Sequence, residues 1–389
     1  MTNLLFTSQS IKDQLSAWRR DFHAYPELGF QEKRTAARIV DVLKPLGYRL
    51  RTGVGRTGVI AELGSGSPVI GIRADMDALP IQERNEVPYA SQVLGVMHAC
   101  GHDTHVAMAL GAATLLSKEQ FPGTVRFLFQ PAEEVEDEEG ISGAPRMIED
   151  GAMEGVDAVI ALHVDADTPT GEIQLEAGMG SAGVDTFYAT IVGKGGHGAL
   201  PYKTIDPIYL ASHVIVALNA IVSRRVRPFD QGVISIGSIH GGQADNVIPE
   251  KVDLTGTIRY TEPSVQELIH TEIERAFKLT QVLGGDYQLK IVKGYPPMMN
   301  DEDIVNLIGE VAGELIGEGN VKPADKEMGA EDFAFFTNMV PGAMFSLGCR
   351  IEGDERQHHS PRFDIDERCL PIGTAILAAS ALRYLSKSN

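Results

Sequence analysis

What most constrains this chain is a change of rhythm partway along it. Up to about residue 180, short apolar runs alternate with stretches whose apolar residues recur at helical spacing. Residues 9–22, 32–43 and 105–116 carry the helical spacing, and 68–73, 124–129 and 158–162 are nearly continuous apolar runs. Strands alternating with helices predict a mostly parallel sheet covered by helices, because each parallel connection must cross back over a face. From about Gly183 the order becomes strand 187–192, helix 206–223, strands 232–239 and 251–259, helix 265–283 and strand 287–292. That β-α-β-β-α-β order is the ferredoxin-like pattern. Helices at 303–316 and 371–385, with a strand at 343–348, then resume the first rhythm. The expected fold class is α/β, with a larger domain of residues 1–182 and 296–389 and an inserted ferredoxin-like domain of residues 183–295.

Composition narrows the partners. Lys and Arg total 34 against 53 Asp and Glu, a net charge of −19. That balance argues against nucleic acid as a partner, since phosphate binding needs cations to displace counterions. Three cysteines, Cys100, Cys349 and Cys369, are too few for a disulfide framework. The opening residues lack the basic start and apolar run of a secretion signal, so the expected setting is reducing and cytoplasmic. The most apolar stretch, 208–222, is interrupted by Ser212, His213 and Asn219. It is shorter than the roughly 20 residues a membrane span needs, so no membrane partner is expected.

Chemistry concentrates in a few places. Met97-His98-Ala99-Cys100-Gly101-His102-Asp103-Thr104-His105 sets a thiol and several imidazoles at the entry to a helix. Thiolate and imidazole are strong ligands for divalent transition metals. Phe129-Gln130-Pro131-Ala132-Glu133-Glu134 ends an apolar strand in adjacent carboxylates, able to divide metal ligation from proton transfer. His163 ends another such strand, and His358-His359 follow a late one. Cys100, His102, Glu134, His163 and one of His358 or His359 make a donor set sufficient for two metals with shared ligands. Asp77, in Arg73-Ala74-Asp75-Met76-Asp77, is a candidate for orienting a ligand imidazole, with a turn or an ion pair to Arg73 as the alternative. The acidic run 136–139 reads as a solvated face. No Gly-x-Ser-x-Gly is present, and the glycines of 193–198 fit neither a dinucleotide nor a P-loop spacing.

These motifs, with His23-x-x-Pro26-Glu27-Leu28, Gly195-Gly196-His197, Asn246-Val247-Ile248-Pro249, Glu331-Asp332-Phe333 and His359-Ser360-Pro361, run in order along the chain. The sequence resembles the M20 metallopeptidase/aminoacylase family, in its amidohydrolase branch of N-acyl-amino-acid, hippurate and indoleacetyl-amino-acid hydrolases. The resemblance implies a dinuclear metal centre in the larger domain, and a lid or dimerisation role for the insert. Its ligands would be Cys100, His102, Glu134, His163 and His359, holding two divalent ions of Zn, Mn, Co or Ni. Cys100 stands where the wider family has a bridging Asp, and this branch characteristically has Cys. Glu133 would be general base and acid, Asp77 the partner of a ligand imidazole, and His197 the stabiliser of a developing oxyanion. Asn246 would bind substrate near its carboxylate. Arg259 would anchor that carboxylate or form a structural ion pair. The implied substrate is a small N-acyl amino acid, with a dipeptidase or carboxypeptidase, or a non-catalytic binding protein, as alternatives. Assembly as a homodimer or homotetramer stays open.

Overall fold

Strand Val69–Asp75 is buried at every position, which is why it reads as an apolar run: both faces of its sheet are covered. The computed structural model describes residues 2–325 and 327–387. The strand lies inside an eight-stranded sheet ordered Arg49–Val54, Gly58–Ser65, Gly123–Gln130, Val69–Asp75, Ala158–Pro169, Gly342–Arg350, Ile173–Gln174 and Val321–Lys322. The run from Gly123–Gln130 to Gly342–Arg350 is parallel throughout. Helices His102–Leu116 and Cys369–Lys387 pack on each other and on Val69–Asp75. The apolar Ala/Leu pattern of His102–Leu116 follows from this, since nearly every residue of that helix is buried. This sheet and its helices form one compact unit of Met1–Gly180, Met299–Lys326 and Asp332–Asn389.

The second unit comprises Ser181–Met298 and Glu327–Glu331. Its four-stranded antiparallel sheet is ordered Gly232–Gly241, Lys251–Tyr260, Gly183–Val192 and Asp286–Lys293. Strand Gly183–Val192 buries Phe187, Ala189 and Ile191 and turns Tyr188 outward, the period of a sheet covered on one face. Helices Pro207–Arg225 and Pro263–Phe277 cover that face through Leu210, Val214, Ile269 and Phe277.

Several local expectations are corrected. The helix expected over 9–22 breaks at Ile11 into Thr2–Ser10 and Lys12–Ala24. Ser8 of the first helix donates its hydroxyl to the Pro371 carbonyl (2.7 Å), tying that helix to Cys369–Lys387. The antiparallel pair Arg49–Val54 and Gly58–Ser65 carries little periodic signal in its outer strand, which is mostly exposed and has no apolar run. The stretch read as too short for a span folds as the 19-residue helix Pro207–Arg225. That helix and Cys369–Lys387 are long and apolar enough to cross a membrane by length and composition, and each buries a face inside its own unit. The run 136–139 is not wholly solvated either. Glu138 and Glu139 are exposed, but the Asp137 carboxylate is out of solvent between Arg56 (2.5 Å) and Arg146 (2.7 Å).

Candidate metal centre

Gly101 sets up the centre. Its φ of +94° lies in the left-handed region, and a Cβ there would fall 2.4 Å from Val164 Cγ2. The turn it closes places Cys100 just before the helix that begins at His102. His102 Nδ1 lies 3.0 Å from the Asp77 carbonyl and 3.1 Å from Asp77 Oδ1. Both are acceptors, so Nδ1 of a neutral ring carries the proton and Nε2 is left able to ligate. His102 Nε2 is buried without a hydrogen-bond partner, its nearest carboxylate oxygen, Asp75 Oδ2, standing 3.6 Å away. An orphaned buried nitrogen of this kind is what a metal would satisfy.

The other donors converge on it. His163 Nδ1 donates to the Val164 carbonyl (2.7 Å), which turns Nε2 toward Cys100 Sγ (3.4 Å). The Glu134 amide donates to Asp77 Oδ2 (3.0 Å), and Glu134 Oε1 lies 3.1 Å from His359 Nε2. Asp77 therefore fixes one imidazole and one carboxylate segment together. Ligand atoms of Cys100, His102 and His163 lie within 4.8 Å of one another, as do those of Cys100, Glu134 and His359, and of His102, Glu133 and Glu134. The first two triads share Cys100.

Electrostatics follow the crowding. Burial pushes the Cys100 thiol well above its usual range, against the pull of His102. Burial also works against charge on His102, but Asp75 and Cys100 outweigh it and raise its pKa. For Glu134, burial opposes ionisation while His359 and His102 draw the carboxyl below its ordinary value.

The two adjacent histidines separate cleanly. His359 takes a left-handed φ of +58°, its amide donates to the Ala99 carbonyl (2.8 Å), and its ring meets Glu134. His358 instead accepts from the Ala166 amide (3.3 Å) and packs on His163 and Phe363. Burial lowers its pKa to about 3, so it is neutral. Arg73 pairs with Asp75 (2.6 Å) and Asp332 (3.0 Å), which disposes of the ion-pair alternative for Asp77. Sequence reasoning gave His105 no role. Its Nδ1 meets Asp75 (2.5 Å) and its Nε2 accepts from the Val164 amide (2.9 Å), steadying the strand beside His163. The available signal was its place as the last histidine of the 98–105 cluster.

His197, Asn246 and Arg259 belong to the second unit. His197 is exposed, on a two-residue strand paired with Val247–Ile248, directly after Asn246. Its Nδ1 accepts from the Ala199 amide (3.0 Å), which puts the proton of a neutral ring on Nε2. Arg259 is half-buried on strand Lys251–Tyr260, bonded to Thr257 Oγ1 and the Ile258 carbonyl. Burial lowers its pKa.

Imidazole, thiol and carboxylate donors grouped beside adjacent glutamates are a set suited to holding divalent metal ions. Residues 71–383 match the sequence family described as Peptidase family M20/M25/M40. The chain belongs to the M20 family, and is a hydrolase of that family acting on amides. It is 41% identical to N-acetyl-L-cysteine deacetylase of Bacillus subtilis, over 98% of this chain and 90% of that protein. It is 38% identical to IAA-amino acid hydrolase ILR1-like 2 of Arabidopsis thaliana, over 98% of this chain and 87% of the other. The solved structure of the Bacillus subtilis YXEP protein, a dinuclear metal-binding peptidase of the M20 family, superposes with a TM-score of 0.83 at 34% identity. That match covers 97% of this chain and 99% of the other.

Proposed function

We propose that the protein hydrolyses the amide bond of an N-acyl amino acid, releasing a carboxylic acid and an amino acid. The observation that carries this reading is the grouping of Glu133 with Glu134 and His102, their ligand atoms within 4.8 Å of one another. Cys100, His102, Glu134, His163 and His359 would hold two divalent ions, of Zn, Mn, Co or Ni. When bound, such ions polarise an amide carbonyl and lower the pKa of a water. Glu133 takes the proton of the attacking water and delivers it to the leaving nitrogen. Asp77 holds His102 in the tautomer that exposes Nε2. His197, its proton on Nε2, donates to the oxygen that becomes negative as the carbonyl is attacked. Asn246 and Arg259 take the substrate carboxylate. The second unit, a ferredoxin-like insert in this reading, acts as a lid that excludes water. The free cysteines fit a reducing setting such as the cytoplasm.

The test is hydrolysis of N-acetyl, N-benzoyl and indoleacetyl amino acids and of dipeptides, by chelator-stripped protein re-supplied with single metals. Metal-restored cleavage of N-acyl amino acids is expected. A preference for dipeptides would favour the peptidase reading, toward which the likeness to a dinuclear peptidase points. Metal binding with no turnover on the whole panel would sink the proposal.

A further inference from the structure

The His23-x-x-Pro26-Glu27 segment has no part in the chemistry above, yet residues 23–32 touch a neighbour of one site residue after another. His23 Nδ1 meets Asp103 Oδ2 (2.7 Å), next to His102. The Glu27 carbonyl accepts from the Ala78 amide (2.8 Å), next to Asp77. Glu32 Oε1 accepts from the Ala132 amide (2.9 Å), next to Glu133.

The last contact is the most pointed. Ala132 has a φ of +44°, a left-handed conformation costing a non-glycine residue about 1–2 kcal/mol. Something must hold it there, because the turn it makes aims Glu133 and Glu134. The Ala132 carbonyl accepts from the Gly143 amide (2.8 Å), and its amide is bound by Glu32. Glu32 is fully buried, and its second oxygen accepts from Thr57 Oγ1 (2.5 Å). The carboxyl thus spans two elements, with a donor from each. It is not spent on capping helix Lys33–Leu43, because the Glu27 carboxylate takes the Arg34 and Thr35 amides (3.0 and 2.8 Å).

We propose that Glu32 is a positioning residue that locks the Ala132 turn and so presents Glu133 and Glu134 to the centre. This rests on the reading of Glu133 as base and Glu134 as ligand. The lock works through hydrogen bonds rather than charge. Burial, reinforced by Asp77, pushes the Glu32 carboxyl up to about 7. In Glu32→Gln the side-chain oxygen can still accept from the Ala132 amide while the NH2 donates to Thr57 Oγ1, whose hydroxyl rotates to accept.

The experiment compares Glu32→Ala, Glu32→Gln, Glu32→Ala combined with Ala132→Gly, and Glu133→Gln. Zn²⁺ affinity of the stripped proteins is measured by titration. The kcat and KM are measured with the best substrate of the panel, and folding is checked by cooperative melting. Outer partners of metal sites typically contribute 10–100-fold in affinity or activity. Glu32→Ala should therefore weaken Zn²⁺ binding and lower kcat by at least tenfold each, with KM within about threefold. Glu32→Gln should recover to within about threefold of wild type. Ala132→Gly should restore part of the loss in Glu32→Ala, because glycine adopts the left-handed turn without help. A folded Glu32→Ala protein with wild-type Zn²⁺ affinity and kcat overturns the proposal, as does a loss that neither Gln nor the glycine relieves. If Glu133→Gln keeps turnover, the base assignment falls and takes this proposal with it. If Glu133→Gln is dead while Glu32→Ala is unimpaired, only the Glu32 proposal falls.

Discussion

Replacing Arg19 by methionine tests the buried charge network behind the centre. The guanidinium is fully buried, with Nε 2.9 Å from Asp103 Oδ2 and Nη2 2.8 Å from Asp364 Oδ1. Asp103 lies in the first turn of the helix that begins at His102, and Asp364 follows the segment of His359, so one side chain ties together two segments that carry proposed ligands. Methionine keeps much of the stem's volume but strands Asp103, itself fully buried, and Asp364. Removing one partner of a buried ion pair costs about 3–5 kcal/mol. With a urea m-value of about 3 kcal/mol/M, the denaturation midpoint should fall by roughly 1 M or more. The chain's only tryptophan, Trp18, adjoins Arg19 and reports unfolding of this unit by fluorescence. The sign with pH is also fixed. Burial pushes the Asp103 carboxyl up, but Arg19 and His23 outweigh it and hold it far below the ordinary carboxylate range. In the wild type that stabilisation is present above the unfolded pKa of about 3.9 and is lost only in strong acid. Without Arg19, burial dominates, the folded pKa rises above the unfolded one, and ionising Asp103 opposes folding as pH increases. Protonated His23, 2.7 Å from Asp103, offsets part of the loss at low pH. The deficit should therefore be larger at pH 7 than at pH 5. Adding Asp103→Asn should recover part of it. A deficit under 1 kcal/mol, or one equal at both pH values, would refute the reasoning.

Gly143→Ala should abolish activity or folding, since its Cβ would lie 1.6 Å from the Pro131 carbonyl oxygen; circular dichroism and turnover decide between the two. Gly309→Ala, inside helix Glu302–Ile316 with nothing within 4 Å of the new Cβ, should instead raise stability by about 0.5–1 kcal/mol in the same urea assay. Zn²⁺ affinity should rise between pH 6 and pH 8, and calorimetry in buffers of different ionisation enthalpy should show proton release. Burial raises the Cys100 thiol and Glu134 raises His359, so each must lose a proton to ligate. Chelation should lower the melting temperature, and resupplied metal should restore it with the logarithm of its concentration over Kd.

The sequence alone determined what local periodicity and residue chemistry can encode. The apolar runs at 68–73, 124–129 and 158–162 are strands because a sheet covered on both faces leaves them no polar alternation. Thiol and imidazole donors at 98–105, leading into a helix, and carboxylates at 133–134, after a buried strand, are residue types that metal ligation and proton transfer call for. Tertiary structure decided which of several chemically equivalent side chains serve. His359 rather than His358 meets Glu134 because a left-handed residue turns one ring toward the centre and its neighbour into the core. Asp77 rather than Asp75 takes His102 because Arg73 already claims Asp75. Asp137 leaves the solvated run because Arg56 and Arg146 arrive from other elements. Glu32 and Ala132, 100 residues apart, carry no mutual signal in the chain. A hydrophobic period is written within a dozen residues, whereas a hydrogen-bond partner is chosen only when distant segments are brought within 3 Å, and no spacing rule records that choice.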